Sequence, residues 1–294
     1  MSTDKKHAII FPGQGSQKTG MGEELFSLYK QQAVKASEIS GFDLEQLCLS
    51  KEKSDDLSQT IYTQPCLYWV SFFQYKMLCE KNQLPPKKEC VFAGHSLGEY
   101  VALCVAEVFD WEAGLKIVTK RATLMNEAAK AKEGSMIAVL GLSYQKIKEI
   151  TDATGEVEIA NHNSLIQTVL SGSKQSLEKI AEELKQKGAK RVIPLAVSGA
   201  FHSSFMDEAA QKFSSFLETV DLKPPSEIVY SNTSANVFPS DPLEIKKTIV
   251  KQINHSVLWQ PLVAKIVADH QLKVEDFHEV GPGNVLTGLI SRCL

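Results

Sequence analysis

Apolar positions along this chain follow two rhythms. Short unbroken runs at His7–Phe11, Cys90–Ala93 and Phe277–Val280 read as strands buried on both faces, as in a parallel sheet covered by helices. Between them the i, i+3, i+4 spacing of amphipathic helices recurs. It covers Gly22–Lys30, Asp43–Leu49, a long helix opened by Thr63-Gln64-Pro65 and ending near Glu80, and Leu97–Ala106. Trp111 to about Ala131 follows Asp110 as N-cap, and Ser203–Val220, Asp241–Ile253 and Leu258–Asp269 complete the set. Ile228–Ser231 reads as a further strand, and a helix to Ser291 closes the chain.

The rhythm changes at Gly134. Strand Ser135–Leu140, helix Ser143–Asp152, strands Glu156–Ala160 and Gln167–Ser171, helix Ser173–Lys187 and strand Lys190–Leu195 follow in turn, with Asn161-His162-Asn163-Ser164 as a loop. This βαββαβ order is that of a ferredoxin-like unit. The expected fold is therefore α/β. A large hydrolase-like body with a parallel sheet is built from residues 1–131 and 197–294, and a ferredoxin-like insert spans 132–196. A cleft is expected where the chain leaves and re-enters the body.

The candidate chemistry sits at the end of the second apolar run. Gly94-His95-Ser96-Leu97-Gly98 lies between a strand and a helix, the setting of a nucleophile elbow. So tight a turn leaves no room for side chains two residues either side of the serine. Ser96 is then held clear of the sheet, and the Leu97 N–H points toward whatever the serine attacks. A glycine-flanked turn with a chance serine is the plainer alternative. The first strand ends in Pro12-Gly13-Gln14-Gly15-Ser16-Gln17. It lacks the third glycine of a dinucleotide fingerprint and the Gly-Lys-Ser/Thr of a P-loop. It is either a tight connection or the source of a second oxyanion donor at Gln14. Gln64 either faces the site or caps its turn, capping being the favoured reading.

A serine needs a base to take its proton. Of seven histidines, His202 is favoured, since it is flanked by small residues where the chain re-enters the body. His7 and His95 read as packed core histidines, and His162 as able to reach the cleft. No acidic third member stands out: Asp207 is too near in sequence and Glu279 is a weak alternative, while a backbone carbonyl would also serve. Arg121 is either a snorkelling surface residue, the favoured reading, or a clamp for a carboxylate. Lys185, Lys187, Lys190 and Arg191 form either a solvated helix end or a basic face for an acidic partner.

Bulk properties narrow the class. With 294 residues and 43% apolar content, a large core is available, and a net charge of −3 gives no case for nucleic acid or an anionic membrane. The six scattered cysteines lack metal-ligand spacing and fit reduced, buried thiols in a cytoplasmic protein. Residues 1–6 are polar and run straight into the first strand, with no apolar stretch that reads as a targeting segment or membrane span.

Taken together, Phe11-Pro12-Gly13-Gln14-Gly15-Ser16-Gln17, Thr63-Gln64-Pro65, Gly94-His95-Ser96-Leu97-Gly98-Glu99-Tyr100, Lys120-Arg121, Gly199-Ala200-Phe201-His202-Ser203 and Glu279-Val280-Gly281-Pro282-Gly283 resemble, in order, the motifs of malonyl-CoA:acyl carrier protein transacylases. The resemblance covers essentially the whole chain. It implies Ser96 as nucleophile, His202 as base, backbone N–H groups of Gln14 and Leu97 as oxyanion donors, and Arg121 as the ligand of the malonyl carboxylate. It also implies that the Gln252 carbonyl orients His202 and that Gln64 and Phe201 support the site, Phe201 limiting space at the acyl α-carbon. His255-Ser256-Val257 stands where the housekeeping enzymes tend to have Asn-Pro-Val. That departure is closer to discrete acyltransferases acting in trans on a polyketide multienzyme synthase. The implied partners are malonyl-CoA and an acyl carrier protein, whose phosphopantetheine arm belongs to the partner. No metal or other cofactor is implied. A serine hydrolase, such as a proofreading thioesterase, and a non-catalytic docking module are the rivals.

Overall fold

The computed structural model describes residues 6–294. The polar residues 1–5, expected to lead into the first strand, lie outside the described residues. In chain order the elements are β1 (His7–Phe11), α1 (Glu23–Leu28), α2 (Lys30–Ser40), α3 (Leu44–Leu49), α4 (Ser54–Leu57), α5 (Thr60–Glu80), β2 (Cys90–Gly94), α6 (Gly98–Val105) and α7 (Trp111–Ala131). Then follow β3 (Ser135–Leu140), α8 (Tyr144–Thr154), β4 (Val157–Ser164), β5 (Gln167–Gly172), α9 (Lys174–Gln186) and β6 (Arg191–Pro194). The chain closes with α10 (Asp207–Glu218), α11 (Pro242–Asn254), α12 (Trp259–His270), β7 (Phe277–Glu279) and α13 (Val285–Ile290).

Two sheets form. The first is parallel, in the order β2-β1-β7. Its alternating side chains fill two separate cores, as a sheet buried on both faces requires. Ile9, Phe11 and Phe92 pack with the aromatic group Phe26, Trp69 and Phe73. Ala8, Ile10, Val91 and Ala93 pack on Trp259, Leu262 and Ile266. The expected strand at Ile228–Ser231 is reduced to two isolated bridges, Val229 with Phe92 and Tyr230 with Val237, because the chain turns back at once and the Phe238 N–H donates to the Val229 carbonyl.

The second sheet is antiparallel, in the order β4-β5-β3-β6, the arrangement a ferredoxin-like βαββαβ unit adopts. Ile137, Val139 and Leu170 face α8 and α9, whereas Met136, Ala138 and Val169 face the body. β4 runs on to Ser164, so the asparagine-rich stretch expected as a loop is strand, with bulges at Ile159/Asn161 and His162/Ser164. It pairs onward with Val257 just beyond α11, joining the small sheet to the body.

Two further differences have clear causes. α5 begins at Thr60, so Pro65 lies in the second turn and removes the N–H that the Ile61 carbonyl would accept. That end is held instead by side chains, Thr63 Oγ1 to the Leu57 carbonyl (2.6 Å) and Thr60 Oγ1 to Gln14 Oε1 (3.1 Å). α2 has no strong apolar stripe, since its buried face is only Ala33 and Ala36, and periodicity alone passes over it. All six cysteines are free, and only Cys79 is exposed. Among the described residues no helix is long and apolar enough to cross a membrane.

Candidate active site

β2, α6 and the loop after β1 form the floor of the site. A Cβ on Gly94 would fall 1.9 Å from the Gly98 carbonyl carbon, and one on Gly98 would fall 2.0 Å from the Phe11 oxygen. The elbow therefore closes only with glycine at both positions. Ser96 at its apex has φ +50°, and His202 has φ +56°. Both reacting candidates thus occupy the left-handed region that non-glycine residues rarely adopt, a strain that clusters at functional sites.

His202 Nε2 lies 2.8 Å from Ser96 Oγ, and Nδ1 lies 2.8 Å from the Gln252 carbonyl oxygen. A carbonyl only accepts, so the proton sits on Nδ1 and Nε2 is left to take the serine proton. Burial, then the nearby Arg121 cation, push His202 down to about 3, so its imidazole is neutral at ordinary pH. Neither acidic candidate for a third member is near: Asp207 accepts from Asn254, and Glu279 accepts the N–H groups of Leu286 and Thr287 at the start of α13.

Arg121 is 1% exposed on α7, against the surface reading of its sequence context. It donates from Nη2 to Ser96 Oγ (3.1 Å) and Gln252 Oε1 (2.9 Å), and from Nη1 to Gln64 Oε1. Its guanidinium carbon lies 5.2 Å from the Tyr100 ring centroid. Gln64 therefore faces the site and caps nothing, because the earlier start of α5 carries it into the helix body.

Among the described residues the backbone N–H groups of Gln14 and Leu97 have no protein acceptor, whereas that of Ser96 donates to Asn232 Oδ1 at 2.7 Å. Gly13 makes this possible, since a Cβ there would lie 2.4 Å from the His95 oxygen. A cavity of about 110 Å³ in front of Ser96 is lined by Gln14, Leu97, Arg121 and His202 from the body, with Met136, Asn161, Leu195 and Phe201 as walls. An adjoining cavity of about 350 Å³ shares Gln14 and His95 and extends past Asn163 to Arg292. A wider cleft of about 800 Å³ beside Phe109 and Phe216 holds none of these groups.

Asn232, Asn163 and Glu99 also join the site's network, with no role expected of them from sequence. Asn163 Oδ1 pairs with His95 Nε2 at 2.8 Å, and this half-buried histidine, expected as a packed core residue, borders both cavities. Glu99 is fully buried under the elbow and touches Asn232 and Gln252. A charged residue at the start of the otherwise apolar helical run 98–106 is the signal the sequence offers for it. His162 does not reach the cavity and stacks on Tyr144 with ring centroids 4.0 Å apart. No group of three or more His, Cys, Asp or Glu side chains among the described residues is gathered to hold a metal ion.

Fold and site together define a serine elbow on an α/β body with a ferredoxin-like insert, and the family comparison agrees with it. Residues 8–290 match the family described as the acyl transferase domain, and the chain belongs to that family. It is an acyltransferase. It is 41% identical over 286 residues to a polyketide biosynthesis malonyl CoA-acyl carrier protein transacylase of Bacillus subtilis (strain 168), covering 96% of this chain and 95% of that one. A malonyl CoA-acyl carrier protein transacylase of the same organism is 37% identical, covering 98% and 90%. Among solved structures, a malonyl-transacylase in complex with its type II PKS acyl-carrier protein superposes with a TM-score of 0.89 at 34% identity, covering 98% of this chain and 93% of that one.

Proposed function

We propose that this chain moves a malonyl group from malonyl-CoA to the phosphopantetheine thiol of an acyl carrier protein, through a malonyl ester on Ser96. The observation that carries the reading is Arg121. A buried guanidinium is expensive to desolvate, and every hydrogen-bond acceptor of this one is an uncharged oxygen. A carboxylate arriving with the acyl group gives the guanidinium a directly bonded ionic partner beside the nucleophile, which favours a dicarboxylic acyl group over acetyl.

In the first half-reaction Ser96 Oγ attacks the thioester carbon as its proton passes to His202 Nε2. The Gln252 carbonyl steadies the resulting imidazolium through Nδ1–H. The oxyanion is received by the free N–H groups of Gln14 and Leu97, each such donor being worth about 3 kcal/mol. The C–S bond then breaks, and His202 returns the proton to the leaving CoA sulfur. The second half-reaction runs the same steps in reverse with the carrier thiol. Phe201, beside His202, limits bulk at the α-carbon. Residues 132–196 form the insert that closes the cleft over the body.

The similarity to a polyketide biosynthesis transacylase supports service to a polyketide synthase in trans. Incubation with malonyl-CoA followed by intact-protein mass spectrometry tests the reading. The wild type gains one malonyl mass that persists until a carrier protein is added, and Ser96→Ala gains none. A malonyl adduct on Ser96→Ala overturns the nucleophile assignment, and an adduct lost rapidly to water without carrier protein makes the chain a hydrolase.

A further inference from the structure

Beneath the elbow lies a polar cluster that lines none of the three cavities described above. Glu99, Asn232 and Gln252 are each 0% exposed. Asn232 clasps the turn from both sides: its Oδ1 accepts the Ser96 N–H at 2.7 Å, and its Nδ2 donates to the Gly94 carbonyl at 2.7 Å. Its own backbone N–H donates to Glu99 Oε2. The other Glu99 oxygen, Oε1, accepts from Gln252 Nε2 at 3.2 Å, and the same Nε2 donates to the Ser96 carbonyl at 2.7 Å. With its nitrogen so committed, the Gln252 amide must turn its oxygen to Arg121.

We propose that Glu99 is a positioning residue for acyl selection: by accepting on both oxygens it fixes the amide of Gln252 so that Arg121 is held over Ser96, while Asn232 separately holds the serine backbone. The proposal rests on the malonyl-transfer reading above. Glu99 as a carboxylate, the form that the Asn232 and Gln252 donors and the Arg121 cation favour against the burial that pushes it up to about 8, offers two acceptor oxygens and no donor, whereas an amide offers one oxygen and one NH2. A glutamine at position 99 must therefore set a donor against a donor. The Asn232 N–H is backbone and cannot turn, so the conflict falls on Gln252. If that amide rotates, its NH2 meets the guanidinium and Arg121 loses an acceptor. Removing one partner of a buried polar contact leaves the other unsatisfied, which is the expensive case.

The two branches separate experimentally. Serine acylation is measured with malonyl-CoA, with acetyl-CoA and with phenylmethylsulfonyl fluoride, a neutral serine reagent that needs no carboxylate site. In Glu99→Gln the malonyl rate is expected to fall at least tenfold, chiefly through KM, and the malonyl-over-acetyl preference to fall with it, while the sulfonyl fluoride rate falls less than threefold. In Asn232→Ala all three rates are expected to fall by a similar factor, with the preference kept. A folded Glu99→Gln whose preference is within twofold of the wild type's overturns the proposal, as does one whose three rates fall in the same proportion. If Glu99→Gln does not fold, Glu99→Asp takes its place, with both oxygens kept one methylene short, and a preference within twofold again overturns it. Wild-type protein that takes no malonyl group would instead sink the functional reading, whatever the variants do.

Discussion

The two sheets place side chains at the site in different ways. The parallel sheet is buried on both faces, and its contribution is polar and tightly partnered: Ser96 at the end of β2, Gln14 after β1, and Arg121, His202 and Gln252 from the layer covering it. The antiparallel sheet keeps one face for its own helices and lays the other on the body, so it reaches the cavity mainly with a wall, Met136 and Asn161. Parallel strands end together, and the loops and helix starts beyond them converge on one spot. A sheet packed by one face offers shape instead. Chemistry is expected to reside in the first region and substrate outline in the second.

The sharpest way to break this contrast is Arg121→Ala. The malonyl-over-acetyl preference in serine acylation is expected to collapse by at least a hundredfold, and an unchanged ratio would remove the clamp from the body's account.

Stability against pH gives an intermediate effect in both regions. His202 in the body is pushed down to about 3, and His162 in the small sheet, by burial, to about 4. The unfolded chain protonates these imidazoles near pH 6.5, whereas the folded protein resists until much lower. The unfolded state therefore binds more protons across this window, and stability is lost as pH falls from about 6.5 toward 4 and then 3. Each group contributes a slope of about 1.4 kcal/mol per pH unit where only the unfolded form is protonated. Urea melts of His202→Asn and His162→Asn are expected to be flatter than the wild type's over that window, and equal slopes would count against the burial effect. His202 stays neutral well into acid, so its protonation is not expected to limit serine acylation at pH 5.

The smallest effect is expected from Met136→Ala. It enlarges the wall without touching the reacting groups, so loading of α-branched acyl-CoA should rise a few-fold while malonyl loading changes less than threefold. A hundredfold loss of malonyl loading would show that the small sheet does more than shape the cavity.

Much of this was legible in the residues. Gly94-x-Ser96-x-Gly98 between an apolar run and a helical pattern announces its turn, because local sterics allow little else. The βαββαβ rhythm was equally plain, since period-2 and period-3.6 patterns alternate there with caps at Ser143 and Ser173. Other features were hidden. α2 buries only alanines, so its stripe is faint. Gln64 reads as a cap until the true start of α5 is known. Arg121 carries no local mark of burial, because its acceptors come from α5, the elbow and α11, up to 131 residues away. Asn232 is one polar residue in a polar turn, yet its amide spans the elbow.

By itself, then, the sequence determined whatever short-range geometry controls: where strands and helices alternate, and that the chain turns through Ser96 with glycine two residues before and two after it. Tertiary structure alone decided which distant groups meet that serine. His202 is 106 residues from it, Asn232 is 136 and Gln252 is 156, and none of these separations is encoded by periodicity. The physical reason is that hydrogen bonds in a buried site are chosen by what remains unsatisfied after packing, and that is known only once both sheets and their helices are in place.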